Sequence, residues 1–180
     1  PESAADLLKR PTHARQPLPC RPSPEKHLAL LPRPGENSPM ATCPECGAVS
    51  AAPCGELFHR LLALDHSRRE PWGSLHGIAV ACYRLQHPAS LDSRAFPLEL
   101  LRTYVADGTE AAHRLTAHAR RANSHLVRSR GRATTDGRVD TPDGFTVTIA
   151  EVAVDGGFPA DGHPKRVRKW AEATLAAWQG

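Results

Sequence analysis

The chain has 180 residues, a formal net charge of +4 and a sequence pI near 9.0. This length suits one ordinary domain and excludes two large ones. The mild basicity permits a nucleic-acid partner without indicating one, and no apolar run reaches the roughly 20 residues that a membrane-spanning helix needs. Because no secretory signal pattern is visible either, we expect a cytoplasmic protein without a membrane partner.

Residues 1–39 differ from the rest of the chain in composition. They are rich in proline and lack a sustained period of 3.6 or 2 residues, so they cannot bury much apolar surface. Because Met40 is the only methionine, we expect it to be the natural start, with 1–39 a disordered tail or translated upstream sequence. The alternative is a Pro-rich linker of a larger protein. We assign Cys20, which lies in this segment, no role.

Three cysteines follow closely after Met40. Cys43 and Cys46 lie in the sequence CPECG, and Cys54 comes eight residues later. Thiolates two residues apart can reach one zinc ion from a tight turn, in which Gly47 lets the backbone fold back. A thioredoxin-like redox pair is the alternative, but no βαβ pattern surrounds the motif. The total of five cysteines, without an export signal, also argues against a disulfide framework.

Hydrophobic periodicity predicts a mainly α-helical domain over residues 40–180, with an N-terminal zinc knuckle and little or no β structure. Ser74 and Pro97 are expected at helix starts, Thr148 with Glu151 has the spacing of a capping box, and Thr116 is a candidate internal cap. A strand at 145–147 would be minor. The expected helices cover 55–66, 75–87, 97–107, 110–127, 148–154 and 164–178.

The first two helices restrict the fourth zinc ligand. If they form an antiparallel hairpin, the start of the first lies beside the end of the second, which brings Cys54 toward His87. His76 and His87 are about 16 Å apart along one helix and cannot bind one ion. His59, five residues after Cys54, is the rival ligand. Cys82, among small apolar residues, is expected to be a packed core thiol.

A second polar pair is expected at the opposite end of this hairpin. His76 there comes close to Asp65, near the end of the first helix. A hydrogen-bonded helix pair is the simpler interpretation. The two residues are also the only candidates for catalytic acid–base work.

The basic region 114–138 could contact phosphate through a set of arginines. It lacks interleaved aromatic residues, so a solvated surface is the better interpretation than a nucleic-acid site. The set comprises Arg120, Arg121, Arg128, Arg130 and Arg132. Phosphate-binding, dinucleotide-binding, nucleophile-elbow, metalloprotease and deaminase motifs are absent from the sequence.

The knuckle CPECG, Cys54 before a helix, and LHGIAVACYRLQHP together resemble an uncharacterised group of small bacterial proteins, the domain of unknown function numbered 5946. FTVTIAEV and VRKWAEATLAAW resemble its C-terminal segments, so the likeness covers about residues 40–178. The resemblance implies that Cys43, Cys46, Cys54, His76, His87 and an acidic residue at Asp65 belong to the family pattern, and that His59 does not. It implies no activity.

We therefore expect a zinc-binding helical module with an unknown protein or small-molecule partner. Four protein ligands, Cys43, Cys46, Cys54 and His87, would make the zinc structural. A metal-dependent enzyme of the hydrolase or transferase type is the alternative, using the zinc or the Asp65–His76 pair. Nucleic-acid binding through 114–138 is the weaker alternative.

Overall fold

The computed structural model describes residues 40–91, 93–126, 142 and 144–179. Within these residues the chain is mainly α-helical, as the sequence predicts, with one antiparallel pair of two-residue strands. The expectations for residues 1–39 and for Arg128, Arg130 and Arg132 lie outside the described residues. The elements are β1 Ala41–Thr42, β2 Val49–Ser50, α1 Cys54–His66, α2 Trp72–Gln86, α3 Ala95–Asp107, α4 Thr109–Leu126, α5 Ile149–Val152 and α6 His163–Ala177.

Helix α2 is the centre of the domain and packs against α1, α3 and α6. Its apolar residues are spread around much of the helix, and a helix of this kind is buried on several sides. The buried set is Leu75, Ile78, Ala79, Ala81, Cys82 and Leu85. Cys82 is fully buried, which agrees with its prediction as a core thiol.

Helices α1 and α2 form the antiparallel hairpin that the sequence predicts. Leu57 and Leu61 of α1 are buried in the core cluster that also contains the apolar residues of α2. Because the two helices run in opposite directions, each end of the hairpin joins residues that are distant in sequence. Cys54 therefore belongs to the end at which α2 stops, and Asp65 to the end at which α2 begins.

Helix α6 closes the core on the other side of α2. Trp170 is fully buried, and Val167, Ala171 and Leu175 are buried beside it, in agreement with the predicted apolar face. The short helix α5 packs against α6 and α1 and begins with the predicted capping box. In that box Ala150 N donates to Thr148 Oγ1 over 3.2 Å, and Thr148 N donates to Glu151 Oε2 over 2.6 Å.

The predicted start of α2 was wrong by three residues. The helix begins at Trp72, whose indole donates a hydrogen bond to the Phe158 carbonyl over 2.9 Å. Ser74 lies within the first turn and is no N-cap, because its hydroxyl donates to Glu70 Oε2 and to the Pro71 carbonyl. The RREPWGS segment contains proline and glycine, but a tertiary contact of Trp72 extends the helix into it.

Four further local predictions need correction. Thr116 does not cap a helix, because its hydroxyl donates to the Ala112 carbonyl within a continuous α4. Residues 145–147 form no strand, since the Val147 carbonyl accepts a hydrogen bond from a side chain of α2. Helix α5 ends at Val152, because Val154 instead forms an isolated bridge with Gly157. Helix α3 also begins at Ala95, two residues before Pro97.

No helix among the described residues is both long enough and apolar enough to cross a lipid bilayer.

Candidate metal centre

The turn between β1 and β2 positions the first two cysteines. The strands pair in the register Ala41 with Ser50 and Thr42 with Val49. Inside this hairpin Cys43 N donates to the Ala48 carbonyl over 2.8 Å, and Gly47 N donates to the Cys43 carbonyl over 3.0 Å. Gly47 has a φ of 76°, a conformation that glycine adopts without a steric penalty. The CPECG turn therefore folds back on itself, as the sequence predicts.

The helical hairpin positions the other two side chains. Cys54 is the first residue of α1, directly after Pro53, and His87 follows the last residue of α2. Pro88 cannot continue the helix, so the chain turns away at His87. Cys54 and His87 are both buried, at 6% exposure each. The knuckle and both helices thus meet at one point.

Four side chains meet at this point: Cys43, Cys46, Cys54 and His87. Their ligand atoms all lie within 4.8 Å of one another, and they form the only such group of His, Cys, Asp or Glu within the described part of the chain. Cys43 Sγ lies 3.5 Å from His87 Nε2, and Cys46 Sγ lies 3.6 Å from Cys54 Sγ. We call this group the Cys3His cluster.

These distances can be compared with the edges of a tetrahedron around zinc. With Zn–S near 2.3 Å and Zn–N near 2.0 Å, a regular tetrahedron has S···S edges of about 3.8 Å and S···N edges of about 3.5 Å. The Cys43–His87 and Cys46–Cys54 separations fall within a few tenths of an ångström of these lengths. The spacing of the four side chains is therefore consistent with one bound metal ion.

The orientation of His87 also suits metal binding. Its Nδ1 donates to the Tyr83 carbonyl over 2.9 Å, which leaves Nε2 directed at Cys43. Metal-binding histidines are commonly fixed by such a hydrogen bond from the other ring nitrogen, because it sets the tautomer and the ring orientation. The backbone of α2 thus prepares Nε2 as a ligand.

Two aromatic rings hold His87 in place from the side. The Tyr83 ring stacks on His87 at a centroid distance of 4.1 Å, and Phe58 of α1 stacks on Tyr83 at 3.8 Å. This stack was not predicted from the sequence, although the spacing of four residues between Tyr83 and His87 places them on one helix face. The stack links both helices of the hairpin to the cluster.

A second link, also missed, joins the knuckle to the end of α2. Glu45 Oε2 accepts a hydrogen bond from Ala89 N over 3.1 Å, across 44 positions of sequence. Ala89 lies in the 3₁₀ turn Pro88–Ser90 that follows His87. Consequently, one of the two residues between the knuckle cysteines helps to fix the segment that presents the histidine.

The electrostatics of the cluster favour a bound cation. A hydrogen bond from the Cys54 thiol lowers the pKa of Cys46 to about 4, although burial opposes the shift. The same hydrogen bond, together with burial, raises the pKa of Cys54. Burial lowers the pKa of His87, but hydrogen bonds to Cys46 and to the Tyr83 carbonyl outweigh it and raise the value to about 9. The cluster thus holds negative charge beside protons that a metal ion can replace.

The rival ligand His59 lies outside the cluster. It is exposed on α1 and does not belong to the group of ligand atoms. It lies only five positions after Cys54, but the buried side of α1 carries Leu57 and Leu61 instead. The hairpin geometry, rather than proximity in sequence, decides which histidine joins the cysteines.

The second predicted pair is also brought together, at the other end of the hairpin. His76 Nδ1 lies 3.1 Å from Asp65 Oδ2, with the Asp65 side chain 1% exposed and the His76 side chain 40% exposed. Burial raises the pKa of Asp65, and the hydrogen bond with His76 opposes this shift. No third ligand among the described residues joins the two to form a metal group.

Comparison with known proteins identifies one family. The model of a family of unknown function, DUF5946, matches residues 41–179, which include every residue of the Cys3His cluster. No curated protein and no solved structure matches the chain.

Proposed function

We propose a function from the site, because the chain belongs to this family of unknown function and the family brings no activity with it. The proposed function is that of a zinc-stabilised binding or regulatory module. In this proposal Cys43, Cys46, Cys54 and His87 hold one structural zinc ion. The observation that carries it is the match between the cluster's separations and the edges of a tetrahedral zinc site.

The chemistry of the donor set supports zinc over other ions. Three thiolates and one imidazole suit zinc, whereas calcium and magnesium prefer oxygen ligands. A set of four protein ligands also closes the coordination sphere, which is typical of structural rather than catalytic zinc. The ion would tie the knuckle to the start of α1 and to the end of α2, so binding would contribute directly to folding.

Metal analysis of the full-length, freshly reduced protein tests this proposal. We expect one zinc per chain, and we expect chelation to unfold the domain, as followed by circular dichroism. Substitution with Co²⁺ should give the visible spectrum of a tetrahedral site with thiolate charge-transfer bands. Reduced protein that contains and binds no zinc would refute the proposal.

Two histidine variants locate the fourth ligand. His87→Ala should weaken zinc binding by at least about tenfold, because removal of even a supporting group around a metal ligand commonly has an effect of that size. His59→Ala is the matched control, since this exposed histidine lies on α1 outside the cluster, and it should retain full affinity. Equal zinc affinities in the two variants would exclude His87 as a ligand.

A metal-dependent enzyme is the second candidate, and one observation favours it. A cavity of about 310 Å³ lies against the cluster and is lined by Cys43, Cys54, Tyr83 and His87. A catalytic zinc needs an open position for water in such a space. X-ray absorption of the zinc protein separates the two: three sulfurs and one nitrogen support the structural site, and an oxygen ligand supports the enzyme.

A further inference from the structure

A groove lies along α2, α3 and α4 and encloses a volume of about 570 Å³. This value falls within the roughly 300–1,000 Å³ that small-molecule sites occupy. His76 lines both this groove and an adjoining cavity of about 430 Å³. The groove shares no lining residue with the Cys3His cluster or with the cavity beside it.

The wall of the groove is largely apolar. Val80 of α2 and Phe96 and Leu100 of α3 all line it. Phe96 is 38% exposed and is one of the few large hydrophobic residues on the described surface. Burial of such a ring is worth about 25 cal/mol for each Å² removed from water. A hydrocarbon or aromatic ligand would gain this energy by covering it.

The polar groups that line the groove are basic or neutral. Arg84 and Arg120 contribute guanidinium groups, and among the described residues no Asp or Glu side chain lines the groove. Arg120 also lines the adjoining cavity, so Arg120 and His76 face the same space. This arrangement favours an anionic group on the ligand and disfavours a cationic one.

The hydrogen bond with Asp65 fixes which ring nitrogen of His76 faces the cavities. Its buried carboxylate binds His76 Nδ1 at 3.1 Å, and the two nitrogens of an imidazole lie on different sides of the ring. Nε2 is thereby left for the cavities that His76 lines. Asp65 Oδ1 is buried and has no hydrogen-bond partner among the described residues, so the carboxylate is not simply satisfying a local backbone group.

We propose that this groove binds a small organic anion with a hydrocarbon or aromatic body. The acidic group contacts Arg120, with His76 beside it, and the body lies against Val80, Phe96 and Leu100. A bare inorganic anion would leave the apolar wall uncovered, and a neutral hydrocarbon would make no charge-assisted hydrogen bond with Arg120. The proposal is independent of the zinc at the other end of the hairpin.

Octanoate and 1-octanol provide matched probes of this site, because they share a body and differ in charge. We expect saturable octanoate binding to the full-length protein by calorimetry, and displacement of the fluorescent aromatic sulfonate 1-anilinonaphthalene-8-sulfonate. Octanol should bind at least about tenfold more weakly, since it lacks charge-assisted hydrogen bonds. Absence of saturable octanoate binding, or equal affinity for octanol, would overturn the proposal.

Two arginine variants of α4 test the position of the acidic group. Arg120→Gln should weaken octanoate about tenfold while leaving octanol unchanged. Arg114→Gln is the control, because Arg114 is exposed on the same helix and lines none of the described cavities. Ala119→Phe should block both probes by filling the groove, with an unchanged zinc content and circular dichroism spectrum as the check on folding. Equal octanoate affinities for the two arginine variants would refute the assignment of Arg120.

Discussion

Gln86 is expected to be among the most destabilising positions at which a neutral side chain can be replaced. It is fully buried directly before His87. Its Nε2 donates to the Val147 carbonyl over 2.8 Å and to Thr174 Oγ1 over 3.0 Å, and its Oε1 accepts from the Trp170 indole over 3.0 Å. This single amide therefore joins α2, α6 and the segment before α5.

The expected effect of Gln86→Met follows from these contacts. Methionine has a similar length and shape but leaves the Trp170 N–H and the Val147 carbonyl unpaired, while the Thr174 hydroxyl can rotate. Each orphaned buried group costs about 1–3 kcal/mol, and the greater hydrophobicity of methionine offsets part of that. We expect the free energy of unfolding to fall by about 3 kcal/mol, a large part of the roughly 5–15 kcal/mol of a typical domain.

Urea unfolding of the zinc-loaded protein measures this change, with Gln179→Met as the control. Gln179 is exposed, so its replacement should alter the free energy by less than about 0.5 kcal/mol. The double variant Gln86→Met with Trp170→Phe should be less destabilised than the sum of the single variants. Each single variant leaves the other residue's polar group unpaired, whereas the double variant removes both the Gln86 amide and the Trp170 N–H. A Gln86→Met loss below about 1 kcal/mol, or additive effects, would refute the reasoning.

Two other predictions concern buried polar groups. His163 is fully buried, and both ring nitrogens lack a hydrogen-bond partner within the described part of the chain; burial and the charge of Arg166 lower its pKa from 6.5 to about 4. Because the folded state accepts no proton on His163 until about pH 4, the free energy of unfolding is unaffected by this histidine above pH 6.5 and falls as the pH drops from 6.5 toward 4. His163→Phe lacks this loss. Its free energy of unfolding relative to wild type should therefore increase by about 2 kcal/mol between pH 7.5 and pH 5, as measured by paired urea titrations. A pH-independent difference would contradict this. Thr148→Ala removes the capping box of α5 and should lower the free energy of unfolding by about 1 kcal/mol. Thr109→Ala is the control, because Thr109 starts α4 and its side chain has no hydrogen bond among the described residues, so the loss should be smaller. Equal losses in the two variants would argue against the cap.

The sequence was sufficient for the hairpin and for the residues that meet at its end. Pro53 and Pro88 mark where α1 starts and where α2 stops, and antiparallel packing then brings Cys54 and His87 together. The same reasoning places Asp65 beside His76. Both inferences depend only on helix length and direction, which local periodicity reports well.

The remaining features depend on packing between distant segments. Trp72 extends α2 because its indole reaches the Phe158 carbonyl, 86 positions away. Gln86 looked like an ordinary polar residue at a helix end, but its partners lie 61 to 88 positions further along the chain. Hydrophobic periodicity does not predict such contacts, because each joins single residues of two distant segments and neither residue belongs to a repeating pattern.

The position of His87 after the hairpin has a consequence for how tightly metal is held. Three thiols come from the first part of the domain, but the imidazole joins them only when α1 and α2 are packed together. Under the proposed assignment, metal affinity and packing of the two helices are reciprocally linked. The factor by which the bound ion raises the equilibrium constant for packing α1 against α2 equals the factor by which that packing raises the affinity for the ion. A substitution far from the cluster that loosens the helix pair, such as one at Leu61, would then release zinc without touching any ligand.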